Sequence, residues 1–388
     1  MKKTVLMLTD YYLPGFKAGG PIQTLSNIVD QLGGQLNFRI LTRDRDLGDS
    51  APYPGIKTGR WLSCSKAETL YLPSGIIYML RFCRILMCHD YDTLYVNSLF
   101  SFRFSILPLV LLRCLLVRGK TVIMAPRGEC ASSALKLKSK KKSFFLRLAR
   151  NFRLHDNLVW HASNRHEADD IVRLFGGPLI IQSIVIAPDL PKRIDDSRVL
   201  TRKVKKQGSL SIAFVGRIVK MKNLDYALKV LSGLKGHILF NIYGPTEDSH
   251  YWEECCVLIN DLEENVSVTY HGTVDHDMVC KQLEDNDILL LPTLGENFGH
   301  VIIEALSVGC PVLISDRTLW RNLEKEGVGW DISLEKPEMY REVLQRCVNM
   351  GTDAYGGLSG EAFRYAVKFA NSGDIVKKSM DLFHITKR

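Results

Sequence analysis

Short, almost wholly apolar runs alternate with longer amphipathic ones along this chain, and the alternation happens twice. Val5–Leu8, Phe38–Leu41, Thr93–Val96, Thr121–Met124 and Leu158–Trp160 read as strands buried on both faces, with helical spacing at Ile22–Leu32 and His166–Phe175 between them. This order predicts a parallel sheet with helices on both sides. After Pro188-Asp189-Leu190-Pro191 the pattern lapses into a charged stretch, Ile194 to Gly208, and then restarts. Leu210–Val215, Ile238–Tyr243, Val266–Tyr270, Ile288–Leu291 and Val312–Ser315 are the second set of strands. Leu224–Leu234, His250–Asn260, Asp277–Glu284 and Val301–Val308 are the helices between them. The expected fold is α/β, with two Rossmann-like doubly wound lobes facing a central cleft. The lobes are placed at 1–190 and 209–365, joined by a linker at 191–208, and a terminal helix within 366–388 is placed to pack back on the first lobe.

Composition narrows the classes. A chain of 388 residues with 46% apolar side chains supports such cores without disulfides or metals. Its ten cysteines contain no Cys-x-x-Cys pair, which weighs against zinc ribbons and redox motifs and fits a reducing, cytoplasmic setting. The first apolar run ends at Thr9-Asp10, too early for a signal peptide. The run from Phe104 to Val117 is broken by Pro108 and Arg113 and falls short of the ~20 residues of a spanning helix. Much of the +9 net charge sits in one acid-free block from Lys136 to Arg153, interleaved with Phe144, Phe145, Leu146 and Leu148. A solvated helix face and attraction to an anionic membrane or lipid phosphate both fit that block. A nucleic-acid partner is not expected, because no nucleic-acid motif accompanies the charge.

Ligands of open α/β sheets bind beyond the carboxyl ends of the strands, and the distinctive segments lie there. Leu289–Leu291 runs into Pro292-Thr293-Leu294-Gly295-Glu296-Asn297-Phe298-Gly299, and a helix follows through Glu304 to a stop at Gly309-Cys310-Pro311. Its start offers backbone N–H groups and a positive dipole end to a pyrophosphate. Glu304 is the one charge on that apolar helix, and a buried carboxylate needs hydrogen-bond partners: either sugar hydroxyls or a neighbouring cation. Ala213-Phe214-Val215-Gly216-Arg217 leads to Lys222-Asn223-Leu224, where Arg217 and Lys222 can converge on a diphosphate. Gly19-Gly20-Pro21 follows the first strand and permits close backbone approach.

Together these segments resemble the family 4 retaining glycosyltransferases of GT-B fold. Glu296 and Glu304 match that family's Glu-x7-Glu element, and Gly216-Arg217 with Lys222-Asn223-Leu224 is similar to its phosphate-binding element. The resemblance implies a UDP- or GDP-sugar donor. Arg217 and Lys222 would stabilise the departing diphosphate, Glu304 would hold the ribose, and Glu296 with Asn297, Phe298 and Gly299 would hold the sugar. Gly19, Gly20, Gly216, Gly244 and Val274 would line the donor. Arg127, Glu129 and His161, in Ala125-Pro126-Arg127-Gly128-Glu129 and Trp160-His161-Ala162-Ser163, resemble pieces of one branch of the family and are acceptor-side candidates. The implied acceptor is a lipid-linked or free saccharide, as in bacterial surface-polysaccharide assembly. Cations at the phosphate site make a metal unnecessary, and none is expected. Two alternatives stay open: an inverting GT-B enzyme using Glu129 or His161 as base, and a non-catalytic, membrane-associated protein that binds nucleotide sugars.

Overall fold

The computed structural model describes residues 2–87, 90–114, 120–131, 134–135, 139–197, 200 and 204–385. Lys136 and Lys138 of the basic block, residues 115–117 of the longest apolar run, and Cys88 lie outside them. The chain divides into two compact units, Met1–Leu190 with Gly373–Arg388, and Pro191–Ser372.

The first unit is built on an eight-stranded sheet ordered β3-β4-β2-β1-β5-β6-β7-β8. Its strands are β1 (Thr4–Leu8), β2 (Asn37–Arg43), β3 (Trp61–Cys64), β4 (Ala67–Leu72), β5 (Thr93–Asn97), β6 (Thr121–Ala125), β7 (Val159–Ala162) and β8 (Ile184–Ile186). Every neighbouring pair is parallel except the edge hairpin β3–β4. The helices are α1 (Gly20–Leu32), α2 (Ile76–Met87), α3 (Leu107–Arg113), α4 (Ser139–Asn151), α5 (Arg165–Phe175), α6 (Pro178–Gln182) and, from the end of the chain, α13 (Gly373–His384). A π-helical turn, Phe102–Ile106, leads into α3. One side of the sheet packs on α1 and α13, and the other on α2, α3, α4 and α5. The returning α13 buries Phe383 against Phe38 and Tyr95, with ring centroids 5.9 and 5.5 Å apart, and Lys3 Nζ donates to the Phe383 carbonyl at 2.7 Å.

The second unit has a six-stranded, all-parallel sheet ordered β11-β10-β9-β12-β13-β14. It comprises β9 (Ser209–Val215), β10 (His237–Tyr243), β11 (Val266–Tyr270), β12 (Ile288–Leu291), β13 (Val312–Ser315) and β14 (Gly329–Ile332). Its helices are α7 (Leu224–Leu231), α8 (Ser249–Asn260), α9 (His276–Glu284), α10 (His300–Ser307), α11 (Pro337–Asn349) and α12 (Thr352–Ala370). One continuous hydrophobic core joins them.

Four strands escape the sequence reading. β3 and β4 are joined by a two-residue hairpin turn, β8 spans three residues, and β14 (Gly-Trp-Asp-Ile) has too little apolar run to stand out. Each is held by a neighbouring strand rather than by its own pattern.

Candidate functional site

The central strands β9 and β12 of the second unit are adjacent, so the loops leaving their carboxyl ends are neighbours. After β9, Gly216 turns the chain and a 3-10 turn, Lys220–Lys222, leads into α7 through Asn223. The Asn223 side chain donates to the Pro292 carbonyl of the β12 loop at 2.9 Å. The Met221 carbonyl accepts from Leu294 N at 2.8 Å and from the Thr293 hydroxyl at 3.0 Å. Neither loop can shift without breaking these bonds. The stitching brings the Lys222 ammonium onto the Glu296 carboxylate in a largely buried ion pair.

Glutamate 296 is fixed from behind as well: its N–H donates to the Arg317 carbonyl at 3.2 Å. At the end of the loop Gly299 adopts φ 76°, ψ 62° and caps α10, with no side-chain hydrogen bond at that cap. A Cβ at Gly299 would meet Ile302 Cδ1 at 2.8 Å and Glu296 Cγ at 2.9 Å, so only glycine combines this turn with this packing. Phe298 is clamped by Trp320, whose indole N–H donates to the Phe298 carbonyl at 2.6 Å. Glu304 sits one turn into α10, partly open at its edge. Burial pushes its carboxyl up to about 7, against the opposing pull of Lys192.

Two more glycine turns close the rim. Gly244 N donates to the Gly272 carbonyl at 2.7 Å, and a Cβ on Gly244 would overlap the Gly216 carbonyl. Val274 lies just beyond, packed on the core. Arg217 extends outward to Glu247 at 3.1 Å and is nearly half exposed. Gly216, Arg217, Lys222, Gly244, Val274 and the Glu296–Glu304 segment thus share one edge of one sheet. Gly19 and Gly20 belong to the first unit, where Gly19 (φ 67°) precedes α1.

Arg127, Glu129 and His161 also belong to the first unit, and each is spent on internal bonds. The Arg127 guanidinium reaches Asn97 Oδ1 at 2.8 Å, the Tyr95 hydroxyl at 2.5 Å and the buried Asp189 carboxylate. Glu129 accepts from the N–H groups of Leu99 and Phe100 and from the Ser98 hydroxyl, at 2.5, 3.3 and 3.0 Å. His161 is buried between the Tyr95 hydroxyl and the Ala187 carbonyl, both at 2.8 Å, and desolvation lowers its pKa to about 4. These partners lie tens of residues away in sequence, which is why the local motif could not reveal them. The sequence holds three Asp-x-Asp triplets, Asp44-Arg45-Asp46, Asp90-Tyr91-Asp92 and Asp285-Asn286-Asp287, and a member of each has structural work. Asp46 accepts from Phe16 N and Lys17 N, Asp92 from Thr4 N, and Asp287 from Ser211 N. Among the described residues, no group of three or more His, Cys, Asp or Glu side chains is placed to hold a metal ion.

Residues 197–353 match the family model for glycosyl transferases group 1. The matched segment lies within the second unit. A Klebsiella pneumoniae protein described as an uncharacterised 41.2 kDa protein in the cps region is 23% identical over 265 residues, 67% of each chain. An uncharacterised glycosyltransferase of Methanocaldococcus jannaschii is 28% identical over 106 residues, so the match spans only 26% of that relative's length. In three dimensions this glycosyltransferase is similar to Anabaena HepE, solved with UDP and glucose, at a TM-score of 0.67 and 13% identity over 98% of both chains. It is also similar to WaaG, a glycosyltransferase involved in lipopolysaccharide biosynthesis, at 0.64 and 16% over 99% of both. The fold is GT-B, with two Rossmann-like units. No helix among the described residues is long and apolar enough to cross a membrane.

Proposed function

We propose that this glycosyltransferase is a family 4-type retaining enzyme that moves a sugar from a UDP- or GDP-sugar to an acceptor hydroxyl. The reading rests on one observation above all: the Lys222–Glu296 pair held beside the glycine-capped start of α10. The diphosphate would draw on Lys222, Arg217 and the α10 N-terminus, where negative charge develops as the sugar leaves. The bond from the sugar's anomeric carbon to the diphosphate oxygen breaks and one to the acceptor oxygen forms on the same face. The acceptor proton passes to the departing phosphate. Glu296 and the Asn297–Gly299 backbone hold the sugar, and Glu304 holds the ribose. With two cations at the phosphates, the step draws on no metal.

The acceptor is a lipid-linked saccharide of bacterial surface polysaccharide. The capsule-region relative and the lipopolysaccharide neighbour support this context. The Lys136–Arg153 block would bring the protein to the inner face of the plasma membrane. An inverting reaction would need a free base, whereas Glu129 and His161 are both engaged internally. A panel of sugar nucleotides screened for thermal stabilisation, followed by NMR of the anomeric configuration in the product, tests the reading. Stabilisation by no nucleotide sugar, or an inverted product, would count against it.

A further inference from the structure

The carboxyl ends of β4, β2, β1 and β5, four neighbouring strands of the first sheet, carry a cluster of charges that the proposed donor site does not use. Arg43 closes β2 and is held by Asp10, from the loop after β1, at 2.6 Å; Arg45 pairs with the buried Asp44 at 2.9 Å. Arg103 joins them from the loop after β5, close enough to feel the charges of Arg43, Asp44 and Asp10. The backbone that sets it there is strained. Ser98 takes φ 110°, which is costly for a residue with a side chain, and Glu129 holds the turn by accepting from the N–H groups of Leu99 and Phe100. The chain then makes the π-helical turn Phe102–Ile106, whose Ser105 hydroxyl donates back to the Ser98 carbonyl at 2.6 Å. Both features recur where a fold positions a functional side chain.

The Arg103 guanidinium is anchored on one side only. Its Nη1 donates to the carbonyls of Leu72 and Pro73, at the end of β4, at 3.2 and 3.1 Å. Its Nε and Nη2 are buried and, among the described residues, find no acceptor. Those two nitrogens form the edge whose parallel N–H groups fit two oxygens of one carboxylate or phosphate. Asp10 and Asp44 do not fill it, being paired with Arg43 and Arg45. Burial and the like charge of Arg43 both push the Arg103 pKa down. A buried cation with unused donors beside a second cation calls for an anion. The two pairs leave one guanidinium uncompensated, which matches the single charge of a carboxylate; a phosphate monoester would bring about two. Arg43 is 43% exposed, so it can turn from Asp10 to admit the anion and share it. Ligands of open α/β sheets bind beyond the carboxyl ends of the strands. The diphosphate and ribose elements of the proposed donor site belong to the second sheet, which leaves this end of the first sheet to the other substrate.

We propose that Arg103 is a specificity-determining residue for the acceptor, receiving the carboxylate of an acidic sugar on its Nε/Nη2 edge with Arg43 as the second cation. The inference rests on the glycosyl-transfer reading above and adds the acceptor's chemistry: a saccharide that includes a uronic acid.

Saturation-transfer NMR of the full chain with methyl glucuronide, methyl glucoside and methyl glucoside 6-phosphate tests it without a donor. Wild type should bind the glucuronide about tenfold more tightly than the glucoside, as a charge-assisted bidentate pair warrants. Arg103→Gln should bring the two to equal affinity. Arg103→Lys keeps the charge and loses the fork, so it should recover only part of the preference. Arg43→Gln changes a partly exposed side chain and should also weaken the preference; this variant and Arg103→Lys carry the test if Arg103→Gln melts well below wild type. Equal binding of glucuronide and glucoside by wild type, binding of neither, or a preference at full strength in both Arg103→Lys and Arg43→Gln overturns the proposal. Tighter binding of the 6-phosphate than of the glucuronide overturns the carboxylate in favour of a phosphate. The sugar-nucleotide screen reads the donor separately. Stabilisation by a nucleotide sugar with no preference for the glucuronide removes this subsite and leaves glycosyl transfer standing. A glucuronide preference with no response to any sugar nucleotide overturns its role as an acceptor subsite.

Discussion

Lys222 and Glu296 stand 74 residues apart in sequence and form an ion pair, each side chain about 15% exposed. One comes from the loop after β9 and the other from the loop after β12. Without donor, each charge compensates the other. A diphosphate would compete for the ammonium and release the carboxylate toward the sugar, so the pair stores the site's charges in a ready arrangement.

If Lys222 and Arg217 serve the donor phosphates as proposed, loss of either cation should be costly. Lys222→Ala and Arg217→Ala should each lower kcat/KM by ~10²-fold or more, with the donor identified by the stabilisation screen. Lys222→Ala should also cost stability, because it leaves Glu296 without its cation. The exposed Arg217–Glu247 pair contributes little to the fold, so Arg217→Ala should melt near wild type. Turnover within threefold of wild type in both variants would remove the phosphate-site assignment.

The proposed use of two cations at the phosphates predicts indifference to chelators. Rates should be unchanged in excess EDTA. Loss of activity restored by Mn²⁺ or Mg²⁺ would show that the diphosphate is neutralised by a metal instead.

Burial raises the Glu304 carboxyl to about 7. A carboxyl whose pKa rises on folding favours the folded state while protonated, so its contribution is intact below about pH 4.5 and is lost as the pH rises through 7. By pH 8 the loss is on the order of 2–3 kcal/mol. Glu304→Gln should thus melt several degrees above wild type at pH 8, with the gap narrowing toward pH 5. Ribose hydroxyls that donate to the ionised carboxylate should offset the loss, so a bound nucleotide should protect wild type more than the variant at pH 8. Parallel melting curves from pH 5 to 9, followed by circular dichroism, would show that Glu304 is not desolvated.

How far the sequence announced this site depends on how local each relationship is. The loop Gly295–Gly299 and its helix are contiguous, and glycine, proline and an apolar run mark them. The same holds for Gly216 to Leu224. What joins the two loops, Asn223 to Pro292 and Met221 to Leu294, is set by the strand order and is invisible in a linear reading. Arg127 shows the reverse problem. Its motif looks like a site, but Asn97, Tyr95 and Asp189 converge on it only in the fold. Helix α2 escaped notice because a helix apolar on several sides reads the same whether protein or lipid covers it.

Trp320 is a further residue that no motif marked. Its indole supplies the donor for the Phe298 carbonyl, and its ring packs on Phe369 at 4.8 Å. Trp320→Phe keeps the packing but leaves a buried carbonyl unsatisfied, which should cost about 1–3 kcal/mol of stability and loosen the loop that carries Glu296. Weaker nucleotide binding by calorimetry should accompany the lower melting temperature. Unaltered binding would mean that the loop is positioned by its other bonds alone.

The two glutamates should separate in their effects. Glu304→Gln keeps the shape of a side chain embedded in α10 and loses only charge-assisted bonds, worth about 1.5–3 kcal/mol each, so donor affinity should suffer most. Glu296→Gln removes the partner of Lys222 and the carboxylate that the proposed function sets beside the reacting sugar. The freed ammonium should bind diphosphate at least as well, which keeps donor affinity near wild type. Turnover should still fall, because the lost contacts tighten as charge develops on the sugar. Calorimetry with the nucleotide sugar, set beside steady-state rates, distinguishes the two. A double-mutant cycle with Lys222→Met adds the coupling: once Lys222 is gone, Glu296→Gln should no longer preserve donor affinity. If both glutamine variants bind and turn over as wild type does, Glu296 and Glu304 do not hold the donor, and the family 4 reading falls with them.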